Sequence, residues 1–367
     1  MYFVPLMFSA VEIRAQVARA ASEAGFELFG VAPVEDAPEL EYFPRWIAAG
    51  HAGEMKYMAA RDAQGRLKRA SLAHAAPWAR SVVVCAINYN TAQAYSTENA
   101  DPAQGWISRY AWSGDYHESV MLRLGKVETA LKNASNSEEL ITRCYIDTGP
   151  IVERVVAKYA GIGWIGKNTC IINQKLGSWL FLGVILTSID LVGDSGTLPA
   201  PDRCGSCTRC IEACPTDALI APYQLDANKC ISYLTIEKRG AIPEEMRAGM
   251  GRQVFGCDIC QDVCPWNRKA PATNADDFQP RADLVNADLE WLAQMDPEEF
   301  RLIFRDSPVR RAKRNGLRRN AIIAMGNSGQ RKFLPVLEKL HADEDEVIRE
   351  SADWAKQNLN TISNPGT

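Results

Sequence analysis

Eight of the eleven cysteines fall in the 61 residues from Cys204 to Cys264. They spell Cys204-x-x-Cys207-x-x-Cys210-x-x-x-Cys214-Pro215, then Cys230 alone, then Cys257-x-x-Cys260-x-x-x-Cys264-Pro265. Three thiolates two residues apart on a tight loop can take three irons of one cubane, while a fourth, three residues further on, points away towards another. The spacing therefore predicts two 4Fe-4S clusters with crossed ligation: Cys204, Cys207, Cys210 and Cys264 on one, Cys214, Cys230, Cys257 and Cys260 on the other. The second run lacks one Cys of the usual three, and Cys230 is the nearby residue that restores four ligands. Two structural zinc sites are the competing chemistry, since Cys-x-x-Cys pairs also suit a tetrahedral ion. A zinc ribbon, however, has no use for the x-x-Cys-x-x-x-Cys-Pro continuation. Cys85, Cys144 and Cys170 stand in apolar or strand-like contexts and read as small buried hydrophobes.

A second concentration of chemistry is cationic. Residues 301–332 hold ten Lys or Arg and one acid, Asp306, in a chain of net charge −4. Arg311, Arg314 and Arg318 stand at i, i+3 and i+7, so one side of a helix could present several guanidinium groups to nucleic-acid phosphates. Two other motifs invite chemistry and fail. Gly161-Ile-Gly163-Trp-Ile-Gly166-Lys167-Asn168 satisfies a dinucleotide fingerprint and nearly a phosphate loop, but both need a strand before the glycines and a helix after, and here a helix precedes. A tight helix-to-strand turn packing Trp164 is expected instead. Asp115-Tyr-His117-Glu-Ser-Val120 is similar to a cobalt-ligating Asp-x-His-x-x-Gly segment of one class of cobalamin proteins, but Val120 stands where Gly is required. His117 is expected to be an ordinary residue at a helix start.

These groups must be held by elements the pattern also predicts. The 367 residues suit two or three domains, and the composition, 47% hydrophobic and 23% charged, is that of a folded globular protein. The fold class expected is α+β multidomain. Residues 1–200 read as an α/β domain: a helix capped by Ser9 and ended by Gly25, strands at 81–87, 140–146 and 179–187, and a helix at 150–160 stopped by Gly161. Residues 201–275 read as a ferredoxin-like two-cluster domain. Residues 276–367 read as helical and HEAT-like, with Ser307-Pro308 opening a helix that Gly326-Asn327 ends. The longest apolar run, 179–186, is too short to span a bilayer. The apolar stretch 1–8 has no preceding positive charge, carries Pro5 and is followed by Glu12 and Arg14, so it reads poorly as an export signal and a cytoplasmic location is expected. A reducing compartment also excludes a disulfide framework.

Several strings together resemble the epoxyqueuosine reductase family: Asp147-Thr-Gly-Pro150, Gly161-Ile-Gly-Trp-Ile-Gly-Lys-Asn168, the cluster cysteines, Cys230-Ile-Ser-Tyr-Leu-Thr-Ile-Glu237 and Gly256-Cys-Asp-Ile-Cys-Gln-Asp-Val-Cys-Pro-Trp-Asn267. The likeness covers nearly the whole chain. It implies reduction of epoxyqueuosine to queuosine at the wobble position of tRNAs with a G-U-N anticodon, by Co(I) cobalamin fed by the two clusters. Residues 1–200 would then bind cobalamin and 276–367 tRNA, with Arg311, Arg314 and Arg318 as phosphate contacts. Asp147 matches the family's proton donor, the alternative being a cap for the helix near Pro150. Asp147 would also line the cofactor pocket, with Tyr110, Trp164, Lys167, Ser178 and Ser232. The resemblance further implies a low-potential electron donor such as flavodoxin or ferredoxin and no membrane partner; a monomer is expected.

Two rival functions share the cysteine signal. A reductive dehalogenase-like corrinoid iron-sulfur enzyme acting on a small molecule would need no basic helical tail. A non-catalytic ferredoxin-type electron-transfer subunit would leave about 200 residues before the clusters without a purpose.

Overall fold

The computed structural model describes residues 8–98, 101–192 and 198–362; most of the 1–8 stretch lies outside them. Contacts group the chain into two compact units, each built from three segments. One comprises Met1–Asn90, Tyr116–Cys207 and Pro265–Ala275, the other Thr91–Asp115, Thr208–Cys264 and Asp276–Thr367. The linear division at 200/201 and 275/276 does not coincide with these units, because residues 91–115 join the second and residues 201–207 and 265–275 the first.

The first unit is organised on a four-stranded sheet in the order Leu28–Pro33, Ser81–Asn88, Leu180–Thr187, Thr142–Tyr145. Every pairing is antiparallel, so the mixed helix and strand content expected of this region is arranged as α+β and not as parallel βαβ units. Ser81–Asn88 is buried along its whole length, which requires both faces to be covered. On one face Gly183 lies against Val120 and Leu124 of the helix Tyr116–Ser135. On the other Val82, Val84, Val184 and Leu186 pack with Val156, Ala157 and Ala160 of and after the helix Glu153–Tyr159. Helix Ala10–Glu23 begins with the expected Ser9 cap, here a reciprocal capping box with Glu12. Glu153–Tyr159 ends where Gly161 takes φ +76°, a left-handed value that Gly reaches without a Cβ clash. The expected turn follows: Trp164–Ile165 pairs with Ile171–Ile172, and Trp164 is buried.

The second unit carries a three-stranded sheet in the order Gln253–Phe255, Gln104–Ile107, Ala287–Asp288. Its core joins Trp106, Phe255 and Leu289 to the C-terminal helices through Leu317, Ile322, Leu337 and Ile348. Helix Arg314–Asn327 is central, with every residue from Leu317 to Gly326 buried. It packs between Leu289–Gln294 and Glu346–Ile362. The helix that Ser307-Pro308 opens is shorter than expected. Ser307 caps a 3-10 turn, Pro308–Ala312, and Lys313 at φ 63° separates it from Arg314–Asn327. No helix among the described residues is long and apolar enough to cross a membrane.

Candidate active site and cluster loops

Asp147 follows the strand Thr142–Tyr145 and takes φ 58°, a left-handed conformation that is uncommon outside glycine. It is exposed, and its Oδ2 accepts a 3.0 Å hydrogen bond from the hydroxyl of Tyr116. The Tyr116 ring is fixed between His117, 4.1 Å away, and Phe181, 4.2 Å away and parallel to within 1°. The loop behind Asp147 is pinned as well. The Arg69 guanidinium, 9% exposed, donates to the carbonyls of Gly149 and Tyr57 at 2.7 Å each. Gly149 lies so close to the Tyr145 ring that a Cβ would stand 2.6 Å from it. The residue that caps the following helix is Val152, with no side-chain bond, so Asp147 does not serve as its cap. The left-handed backbone is thus held by the surrounding structure and presents the carboxyl outward.

Glu153, first residue of that helix, has a buried Oε1 without a hydrogen-bond partner among the described residues. Burial first, and then the charge of Asp147, push its carboxyl up to about 7 against the opposing effect of Arg154 and Arg69.

Of the other residues assigned to a cofactor pocket, three in this unit are engaged by the protein. Trp164 is 2% exposed and meets Trp266 edge-to-face at 4.9 Å. Lys167 donates its ammonium to the carbonyls of Gly205 at 2.7 Å and Cys207 at 3.0 Å, steadying the first cysteine loop. Ser178 is buried and doubly bonded to the Asn267 side chain, through its N–H at 2.7 Å and its hydroxyl at 2.9 Å. Tyr110 and Ser232 belong to the second unit. Tyr110 is half-buried against Phe255, and the Ser232 hydroxyl and N–H point to the Cys230 thiol.

Within the second unit the four cysteines assigned to one cluster lie on short turns: Cys214 after Arg209–Glu212, Cys230 as the cap of Ile231–Ile236, and Cys257 and Cys260 around the start of Ile259–Asp262. Burial pushes the Cys257 thiol well up, and the neighbouring Cys230 and Cys214 thiols add to the rise. Cys230 is raised by burial and by Cys214. Half-buried thiols brought together on these short turns are the donor set a cluster would use as thiolates, so the residues fit the group. Among the described residues no three His, Cys, Asp or Glu side chains close on one point as a single ion needs; a cubane makes no such demand, since each thiolate takes its own corner.

Sequence reasoning missed the polar scaffold of this loop. Asp258, 1% exposed, accepts from the Trp106 indole at 3.1 Å, the Arg109 N–H at 2.7 Å and the Ser108 hydroxyl. Asp262 accepts from the N–H of Ser96 at 3.0 Å and from its hydroxyl. Both carboxyls are raised chiefly by burial.

The basic stretch is not a single helix face. Arg311 is exposed in the 3-10 turn and pairs with Glu237 at 2.6 Å. Arg314 is half-buried, with its Nε on the carbonyl of Met295. Arg318 corrects the expectation: it is 4% exposed, bonded to the carbonyl of Ala293 at 2.9 Å and paired with Asp343 at 2.6 Å. The break at Lys313 rotates Arg311 out of register with the helix, and Arg318 faces the core. Arg310, Lys313, Arg331 and Lys332 are exposed.

A family model described as 4Fe-4S double cluster binding domain matches residues 203–267, and one described as Epoxyqueuosine reductase QueG, DUF1730 matches residues 69–148. The epoxyqueuosine reductase of Pseudomonas aeruginosa is 40% identical over 339 residues, covering 91% of each chain. The chain belongs to the epoxyqueuosine reductase family. The enzyme of that name from Synechocystis is 43% identical over 297 residues, 80% of this chain and 98% of the relative. A crystal structure of a selenomethionine-labelled epoxyqueuosine reductase matches at TM-score 0.84 and 30% identity, covering 96% of this chain and 91% of the other. A second, of an epoxyqueuosine reductase with an epoxyqueuosine-modified tRNA-Tyr stem loop, matches at TM-score 0.82 and 29% identity with the same coverage. A third, from Bacillus subtilis and described with its catalytic aspartate loop swung out of the active site, matches at TM-score 0.83 and 29% identity, again with the same coverage.

Proposed function

We propose that this chain reduces epoxyqueuosine to queuosine at the wobble position of tRNA, with Asp147 as the proton donor. The observation that carries the reading is the exposed Asp147 carboxyl, held on a left-handed residue and aimed by Tyr116, in a chain that also carries a double-cluster segment. Removing an epoxide oxygen as water consumes two electrons and two protons, one delivered by Asp147 as the C–O bond opens and the second drawn from solvent. Clusters of ferredoxin type, with potentials on the order of −400 mV, deliver electrons one at a time. As the C–O bond opens, negative charge grows on oxygen, and a carboxyl already oriented towards it neutralises that charge. Tyr116 holds the carboxyl in one rotamer, and Arg69 with Gly149 keeps its loop from relaxing.

On the family resemblance, Asp147 of the first unit and, separately, Tyr110 and Ser232 of the second are proposed as cobalamin contacts, since hydroxyl and carboxyl groups suit its amide-fringed ring. When bound, this group supplies a reduced cobalt centre able to attack or reduce an epoxide. Trp164, Lys167 and Ser178 act from behind, as supports of the turn and the first cysteine loop. The eight cysteines are proposed as ligands in the crossed sets that their spacing defines. The turn ahead of the C-terminal helices, which are read as HEAT-like, carries exposed Arg310, Arg311 and Lys313 for the phosphates of a tRNA with a G-U-N anticodon, and a flavodoxin or ferredoxin is the proposed electron source.

The test is anaerobic reconstitution with iron, sulfide and cobalamin, followed by nucleoside analysis of tRNA from a strain that accumulates epoxyqueuosine. Conversion to queuosine that requires both cobalamin and reductant is expected. Reconstituted, reduced protein that leaves epoxyqueuosine untouched contradicts the reading.

A further inference from the structure

The cysteines assigned to the second cluster come from separate stretches, and residues 231–256 must leave Cys230 and return to Cys257 with the two thiols adjacent. Thr235 makes one link inside that excursion. Its hydroxyl donates to the carbonyl of Ile231 at 2.7 Å and accepts from the N–H of Gly256 at 2.9 Å, tying the first turn after Cys230 to the residue before Cys257. The other links come from the helix Arg314–Asn327. The Asn320 amide donates to the carbonyl of Thr235 at 2.9 Å and to that of Val254 at 2.8 Å. Arg319 donates to the carbonyls of Lys238 at 3.0 Å, Gly240 at 2.6 Å and Leu234 at 2.9 Å, and its Nε and Nη2 hold Asn320 Oδ1 at 3.0 and 2.8 Å. Arg319 is 1% exposed and Asn320 0%. A buried guanidinium has no water to fall back on, so it fixes the carbonyls that solvate it as firmly as they fix it.

We propose that Arg319 and Asn320 are positioning residues for the second iron-sulfur cluster, holding the helix behind Cys230 and the strand ahead of Cys257 at the separation the cluster requires. The helix Arg314–Asn327 is then part of the cluster site. A ligand set with Cys230 displaced from the usual run needs such a brace, because chain connectivity no longer fixes that thiol beside the other three. The inference rests on the two-cluster reading above.

The experiment is anaerobic reconstitution of wild type, Asn320→Ala, Thr235→Val and, as an exposed control, Arg331→Ala, with iron per chain, electron paramagnetic resonance of the reduced proteins and a redox titration. Wild type and the control should bind about eight irons, as two such clusters require. Asn320→Ala should bind about four and lose the signal of one cluster. Thr235→Val removes one hydroxyl from a site of unchanged shape; it should keep both clusters and shift the line shape and midpoint of one alone. If circular dichroism shows that Asn320→Ala does not fold, Asn320→Asp, which keeps the side chain's size and Oδ1 but removes the N–H donors to Thr235 and Val254, decides by the same spectra and potentials. Spectra and potentials identical to wild type in the folded variants overturn the proposal. A wild type that binds only four irons removes the two-cluster reading itself, and the inference with it.

Discussion

At the scale of single residues, Asp147 is held in a backbone conformation that costs of order 1–3 kcal/mol for a non-glycine residue. Tyr145, Arg69 and Tyr116 hold that conformation through close packing and hydrogen bonds. Tyr116→Phe removes one hydrogen bond of roughly 1 kcal/mol and leaves the ring stack intact, so turnover should fall about five- to tenfold with clusters and melting temperature unchanged; single-turnover rates check this. Glu153 gives a prediction in pH. Its folded-state carboxyl is raised to about 7 from an ordinary 4.5, so the folded state binds more protons than the unfolded between those values. Its contribution is fully present below pH 4.5 and is lost as pH rises through 7. Glu153→Gln, a mimic of the protonated form, should match wild type in stability near pH 4.5 and exceed it by on the order of 1–3 kcal/mol at pH 8. Denaturation midpoints against pH measure the difference, and parallel curves would refute it.

At the scale of elements, the turn Pro308–Ala312 and the helix Arg314–Asn327 show which readings a sequence supports. Counting i, i+3, i+7 from Arg311 assumes an unbroken helix, and the break at Lys313, φ 63°, carries no glycine or proline to announce it. The arginines therefore separate into two kinds. Replacing Arg310, Arg311 and Lys313 together by Ala should flatten the logarithmic salt dependence of tRNA affinity by roughly two to three, at about 0.7–0.9 per phosphate lost. Arg318→Ala should leave that slope alone and lower stability by roughly 3–5 kcal/mol, since it strands Asp343 beside a buried gap. Equal slopes for wild type and the triple variant would return those cations to ordinary surface. The strands at 81–88 and 180–187, the Ser9 cap and the turn at Gly161 were legible because each is written in neighbouring residues. The partners of Arg319 and Asn320, at 234–254, are not, because nothing local marks a carbonyl so far along the chain. Tyr116 stands in a segment whose visible chemistry is that of His117, and its role depends on Asp147 arriving from the end of a strand some thirty residues on.

At the scale of the whole molecule, the cysteine spacing made the electron-carrying chemistry readable, while the proton-delivering residue was readable only through resemblance. A lone Asp before Thr-Gly-Pro has an equally good reading as a helix cap until Val152 is seen to occupy that place. The account joins the two: clusters to supply electrons, and one oriented carboxyl to supply the proton that lets the epoxide oxygen leave. The measurement that tests this most directly is single-turnover conversion of epoxyqueuosine tRNA by Asp147→Asn, reconstituted and reduced beside wild type. The predicted result is eight irons, unchanged cluster spectra and tRNA affinity, and conversion slower by roughly 100- to 10,000-fold, the usual worth of a positioned proton donor. Conversion at the wild-type rate would contradict the account.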